Sequence, residues 1–197
     1  GFLGQVTCLH KKTGKVLWTT DLVEDHGGKI HMFGYSVSPI TSGDTVLVAV
    51  GGAEGVIALA WETGEVVWKS EPIDVSYASP MRITVDGQEQ IVLMASTEVV
   101  GLAPDSGEIL WRHPHVNVNK NNCAQPLWGA EDQLLFLSSH DYGGARVLEL
   151  RQADGRTRVR ELWHEPEIKF FHTSSLRLGD TIYGSSGTWS PTFLTAI

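Results

Sequence analysis

Four aligned positions in this 197-residue sequence could carry chemistry together: Ser36, Tyr77, Cys123 and His172. Each stands three residues before a matching position, namely Pro39, Pro80, Pro126 and Ser175. A hydroxyl, a phenol, a thiol and an imidazole on one ring could bind a polar ligand or ion, or simply solvate a water-filled channel. The column one residue earlier holds Tyr35, Ser76, Asn122 and Phe171. A second set is His140 and Asp141 with His164 and His172. If their loops converge, they could act as an acid–base or metal group, because imidazole exchanges protons near neutral pH. A third stretch, His113, His115, Asn117, Asn119, Asn121 and Asn122, contains no acidic residue. It reads as an asparagine-rich loop serving left-handed backbone positions. Glu54, Asp141 and Trp189 are further candidates for contacts on the same face. Ser36, Tyr77, Asn122, Cys123, His140, Asp141, His172 and Trp189 are therefore the expected ligand-binding positions. No residue is assigned a catalytic or metal-binding role.

The elements that must position these residues are set by a repeated phrase. Thr13-Gly14-Lys15-Val16-Leu17-Trp18 returns as Thr63-Gly64-Glu65-Val66-Val67-Trp68 and as Ser106-Gly107-Glu108-Ile109-Leu110-Trp111. A fourth copy, Asp154-Gly155 with Trp163, has its tryptophan eight residues after the glycine rather than four, so its outer hairpin is expected to be longer. The tryptophans lie 50, 43 and 52 residues apart, a period that marks a β-propeller with one four-stranded blade per repeat. The expected blade parts are 1–22, 35–71, 77–113, 124–164 and 173–197, as three whole blades and two partial ones. Within blades, Tyr35 to Thr41, Thr45 to Val50, Val56 to Ala60 and Val66 to Lys69 read as four successive strands. No helix is needed. Thr/Ser-Gly permits the positive φ of a hairpin turn. The tryptophan then falls on the outer strand, where it is expected to pack on the neighbouring blade with its N–H on a backbone acceptor. Gly14, Trp18, Gly64, Trp68, Gly107, Trp111 and Trp163 are thus expected to be structural docking positions.

Composition narrows the function classes. The net charge of -8 argues against non-specific binding to nucleic acid, which needs a basic surface. No apolar run reaches the length of a membrane span. Cys8 and Cys123 show no metal-type spacing and are expected as buried free thiols.

The phrase Thr-Gly-x-x-x-Trp, preceded by Ala58-Leu59 and with Ala196 at the matching place, resembles the PQQ-like repeat of quinoprotein alcohol dehydrogenases and of BamB-like bacterial propellers. The strand starts Tyr35-Ser36-Val37-Ser38-Pro39 and Tyr77-Ala78-Ser79-Pro80 are similar to those of PQQ-binding-like propeller proteins. The resemblance covers nearly the whole chain. It implies a segment of a seven- or eight-bladed propeller, with the remaining blades as partners and a bacterial periplasmic or extracellular location. The chain departs from the pattern where an Asp is usual, with His10, Ala60 and Ala103 instead. It also lacks the adjacent cysteine pair and any matching calcium set of the quinoproteins.

Two functions follow as expectations. The first is a non-catalytic binding or scaffolding module whose channel-face loops take a protein, peptide or glycan, with no cofactor. The second is a quinoprotein-type dehydrogenase, with PQQ and Ca²⁺ in a channel completed by further blades. A four-bladed ring, in which residues 5–22 close against 173–197, is the alternative to an open segment.

Overall fold

The computed structural model of the chain describes residues 1–140, 142–187 and 193–197. It contains seventeen strands and no helix among the described residues. The first sheet pairs β1 (Gln5–Leu9) with β2 (Val16–Asp21). The second is β3 (Ile40–Ser42), β4 (Thr45–Gly51), β5 (Glu54–Ala60) and β6 (Val66–Lys69), paired in chain order. The third is β7 (Met81–Val85), β8 (Gln88–Met94), β9 (Glu98–Leu102) and β10 (Ile109–Pro114). The fourth is β11 (Leu127–Gly129), β12 (Leu134–Ser139), β13 (Gly144–Ala153) and β14 (Arg156–Glu165). The fifth is β15 (Leu176–Leu178), β16 (Thr181–Ser186) and β17 (Phe193–Ala196). Every strand pair is antiparallel. These are the sheets of a partial β-propeller. Among the described residues the two ends lie in separate sheets and do not pair in one.

The core sits between consecutive sheets. Val48, Val50, Ile57 and Leu59 of the second sheet meet Leu22, Val6 and Trp18. The alternate residues Leu47, Ala49, Val56 and Ala58 pack on Ile91, Leu93, Val100 and Leu102 of the third. Val92, Met94 and Val99 then face Leu135, Leu137, Leu148 and Leu150 of the fourth. A central strand is therefore buried on both faces. This is why β4, β8 and β12 read as continuous apolar runs instead of alternating.

The innermost strands begin later than the sequence suggested. Tyr35 to Thr41 was expected as one strand, but the ladder runs only from Ile40 to Ser42 and starts after Pro39. β7 and β11 likewise start after Pro80 and Pro126. Proline supplies no ladder N–H. The residues before it bond instead to the next repeat, with Ser38 N donating to Ser79 Oγ at 2.9 Å and Tyr77 N to the Asn122 carbonyl at 3.0 Å.

The repeated phrase folds the same way three times. His10, Ala60 and Ala103 each accept from the turn glycine and donate to the residue after it, through backbone alone. The side chains at these positions take no part in those bonds, although His10 Nδ1 lies 3.0 Å from Thr13 Oγ1. The hydroxyls of Thr13, Thr63 and Ser106 accept the amides of Lys15, Glu65 and Glu108. One residue is then bulged out before each tryptophan: Leu17, Val67, Leu110 and Leu162. A bulge re-aims the side chain that follows it. The fourth hairpin differs, with ten residues in each strand around a two-residue Asp154-Gly155 turn, both at positive φ.

Candidate ligand face

The loops joining each fourth strand to the next first strand reach one face, together with those joining second to third strands. Ser36 and His172 are exposed there, and Tyr77 and Cys123 are half-buried. Tyr77 lies under the first long loop, where its hydroxyl accepts the Phe33 amide at 3.3 Å. Its ring lies 5.8 Å from Phe33 and 6.0 Å from His31. Cys123 donates its thiol to the Asn121 carbonyl, and burial pushes its pKa up to about 11. It therefore stays a thiol near neutral pH and offers no thiolate nucleophile. Cys8 and Cys123 are both free, but each is half-buried rather than buried. The neighbouring column turns inward. Tyr35 donates to the Val50 carbonyl, Ser76 to the Lys120 carbonyl, and Phe171 is buried.

The histidines separate into two groups. His140 and His172 flank Phe171, with ring centroids 5.5 and 3.9 Å from it. His164 is not with them. Its Nε2 lies 2.9 Å from the Gly143 carbonyl and 3.3 Å from Arg146 Nη2, in the contact between the third and fourth sheets. The β13–β14 ladder places it opposite Arg146. Glu54 is engaged by Lys69, and its Oε2 lies 3.3 Å from His26 Nδ1, so it clasps the first long loop to the second sheet. Asp141 and Trp189 lie outside the described residues.

The asparagine-rich loop is built differently from its expected form. Its left-handed residue is Lys120, at φ 57°, while the asparagines act as buried hydrogen-bonding struts. Asn122, 0% exposed, donates to the carbonyls of Ala95 and Ser96 and accepts from Asn117 Nδ2 at 3.1 Å. Asn117 Oδ1 accepts the Asn119 amide. With polar side chains inside, the alternating apolar ones face out: Val118 is 64% exposed and Val116 is similar. Met32 and Phe33, 85% and 58% exposed, and Tyr142 add to the same face. Sequence reasoning missed these residues. The available signal was the inverted alternation of His115-Val116-Asn117-Val118, apolar where a turn should be polar. Replacing Asn122 by alanine is expected to cost about 2–3 kcal/mol, because three buried partners lose their bonds. Urea denaturation should show the loss, and limited proteolysis should cut first within 116–121. Unchanged stability would mean that the struts do not hold the loop.

The donor set does not fit a quinone with its calcium ion. The two thiols are far apart in sequence, and burial keeps Cys123 protonated. The amide of Asn122 is spent on backbone, and no group of three His, Cys, Asp or Glu among the described residues could hold a metal. These residues therefore support no step through that cofactor.

Against this geometry, the family model described as outer membrane protein assembly factor BamB matches residues 3–196. The chain belongs to that family. Among solved structures, BamB from Moraxella catarrhalis aligns at a TM-score of 0.62 and 18% identity, over 94% of this chain and 53% of that one. Quinohemoprotein alcohol dehydrogenase from Comamonas testosteroni aligns at 0.57 and 14% identity, over 98% of this chain and 36% of that one. Both likenesses are likenesses of fold. The chain spans about half the length of the BamB structure, 53%. No curated protein sequence is matched. Among its described residues, this BamB-family chain has no helix long and apolar enough to cross a membrane.

Proposed function

We propose that this BamB-family chain is a non-catalytic propeller segment that binds polypeptide through its channel-face loops, in the periplasm, during outer-membrane protein assembly. The observation that carries the reading is the set of exposed apolar side chains on loops held by hydrogen bonds. Phe33 is tied to Tyr77, and Val116 and Val118 stand on the Asn117–Asn122 struts. Apolar groups held in place on rigid loops lose little entropy on binding, which is what a recognition surface needs. The family description, an assembly factor for outer-membrane proteins, supports a polypeptide as the occupant. Ser36, Tyr77, Asn122, Cys123, His140 and His172 are proposed as the polar surround of this face, with Tyr77 and Asn122 in positioning roles. The quinoprotein reading has the fold likeness on its side and the donor set against it.

The test is binding of a fluorescein-labelled outer-membrane β-barrel protein, diluted from urea, followed by anisotropy. The double substitution Phe33→Ser with Val118→Ser is expected to weaken binding about tenfold or more, as loss of apolar anchors does. Unchanged affinity in the double variant, or no binding by the parent chain, would sink the proposal.

A further inference from the structure

The contact between the third and fourth sheets encloses one guanidinium and three imidazoles. Arg146, with its side chain 10% exposed, donates from Nη1 to Glu161 Oε2 at 2.7 Å and to the Pro114 carbonyl at 3.2 Å. His113 Nε2 lies 3.6 Å from the same carboxylate oxygen. His164 borders Arg146 on its other terminal nitrogen, Nη2. His115 is fully buried, with Nε2 at 2.8 Å from Ser139 Oγ. Ser139 Oγ also lies 3.3 Å from the His140 carbonyl. The other ring nitrogen, Nδ1, has no partner, so an imidazolium, which carries a proton on both nitrogens, would leave that one unaccepted whichever tautomer the neutral ring holds. Protonation would also place a second cation beside Arg146.

The groups that line this contact come from four strands. They are His113 on β10, Ser139 on β12, Arg146 on β13, and Glu161 and His164 on β14. Glu161 is already shared by Arg146 and His113. Arg112, also on β10, is engaged by Glu98 and Glu71. Among the described residues no carboxylate is left to balance an imidazolium at this contact.

We propose that His115 and His113 make the contact between the third and fourth sheets an acid-sensitive hinge, closed at neutral pH and opening as pH falls. Burial first, then the charge of Arg146, holds His115 down to about 3 and lowers His113 as well. The opened form binds protons below the ordinary histidine range and the closed form does not, so closure is fully stable above about pH 6.5 and weakens toward pH 3. The 115–122 loop continues directly from His115, so opening displaces Val116 and Val118. That consequence for partner release rests on the proposed loop-face function, whereas the hinge itself does not.

The experiment is hydrogen–deuterium exchange of the chain alone at pH 7.5 and 5.0, corrected for intrinsic rates. Peptides spanning 113–119 and 134–147 are compared with 45–60 in the second sheet. Opening at the hinge is expected to rise about tenfold or more at pH 5.0, and by much less in the second sheet. The His115→Gln variant keeps a donor to Ser139 Oγ and should lose most of that rise. An equal rise in all peptides of the parent chain, or an undiminished rise in His115→Gln, would overturn the hinge. The parent comparison decides the matter even if the variant does not fold. No partner is present, so failure here is distinct from failure of polypeptide binding.

Discussion

Replacing Trp111 by alanine is expected to lower the unfolding free energy by about 3–5 kcal/mol, the usual range for emptying a buried indole site. Trp163→Ala should cost about 1 kcal/mol or less, since that indole is 38% exposed. The two share a sequence phrase but not an environment. Trp18 and Trp68 lean over the turn glycine of the following sheet and donate their N–H to the carbonyls of Trp61 and Pro104, at 2.9 and 3.2 Å. Trp111 cannot do this. The next hairpin is longer, and nothing lies within 4 Å of where a Gly155 side chain would begin. Trp111 is instead 6% exposed, folded over its own Gly101, with Nε1 donating to Gln90 Oε1 at 2.7 Å. Gln90, fully buried, donates onward to Thr157 Oγ1 at 2.7 Å in the fourth sheet. A polar relay has replaced the indole-on-glycine contact. Truncation leaves both a cavity and an unpaired amide. Trp111→Phe should separate the two losses, costing about 1–3 kcal/mol, chiefly for the abandoned Gln90 oxygen. Chemical denaturation of the three variants checks this. An alanine cost at 111 no larger than at 163 would contradict it.

That relay shows where the sequence was legible and where it was not. The period of the tryptophans specified the sheets, because each repeat must bury a face on the next. The eight-residue spacing at Trp163 specified a longer hairpin. Neither could reveal that lengthening one hairpin removes the glycine beneath the preceding tryptophan, because that depends on where a turn ends in space. The one-residue bulge before every tryptophan was also hidden. Leu17, Val67, Leu110 and Leu162 look like ordinary strand residues, and only the register exposes them.

The candidate site was legible as a face more than as a set of side chains. Aligning Pro39, Pro80 and Pro126 correctly marked repeat positions, but proline ends the ladder instead of sitting within it, so the residues before it follow loop geometry. Tyr77 and Asn122 consequently act in the links between repeats. His164 was grouped with His140 and His172 by residue type alone. Its place on a strand directs it to Arg146 instead. Residue type suggested chemistry, while the exposed valines, which carry the proposed function, have no chemistry to notice.

Gly107→Ala is expected to destabilise the chain by about 2–5 kcal/mol, and Gly14→Ala by only about 1–2 kcal/mol. Both glycines close the same turn at nearly the same φ, 73° and 68°. An alanine at either position meets the same left-handed backbone penalty, about 1–2 kcal/mol. The positions differ in what lies above them. Nothing stands within 4 Å of a β-carbon at 14, whereas one at 107 would sit 2.6 Å from Cζ3 of Trp68. The indole must then lift, losing its bond to Pro104 and its fit against the second and third sheets. Overpacking of this kind costs about 1–3 kcal/mol more. The excess at 107 therefore measures the contact between repeats, apart from the turn itself. It should vanish in a Trp68→Ala background, where the new methyl has room, so the double variant should be more stable than the sum of the two losses. Strict additivity would show that Trp68 and Gly107 do not bear on one another, and that the repeated phrase is a turn signal alone.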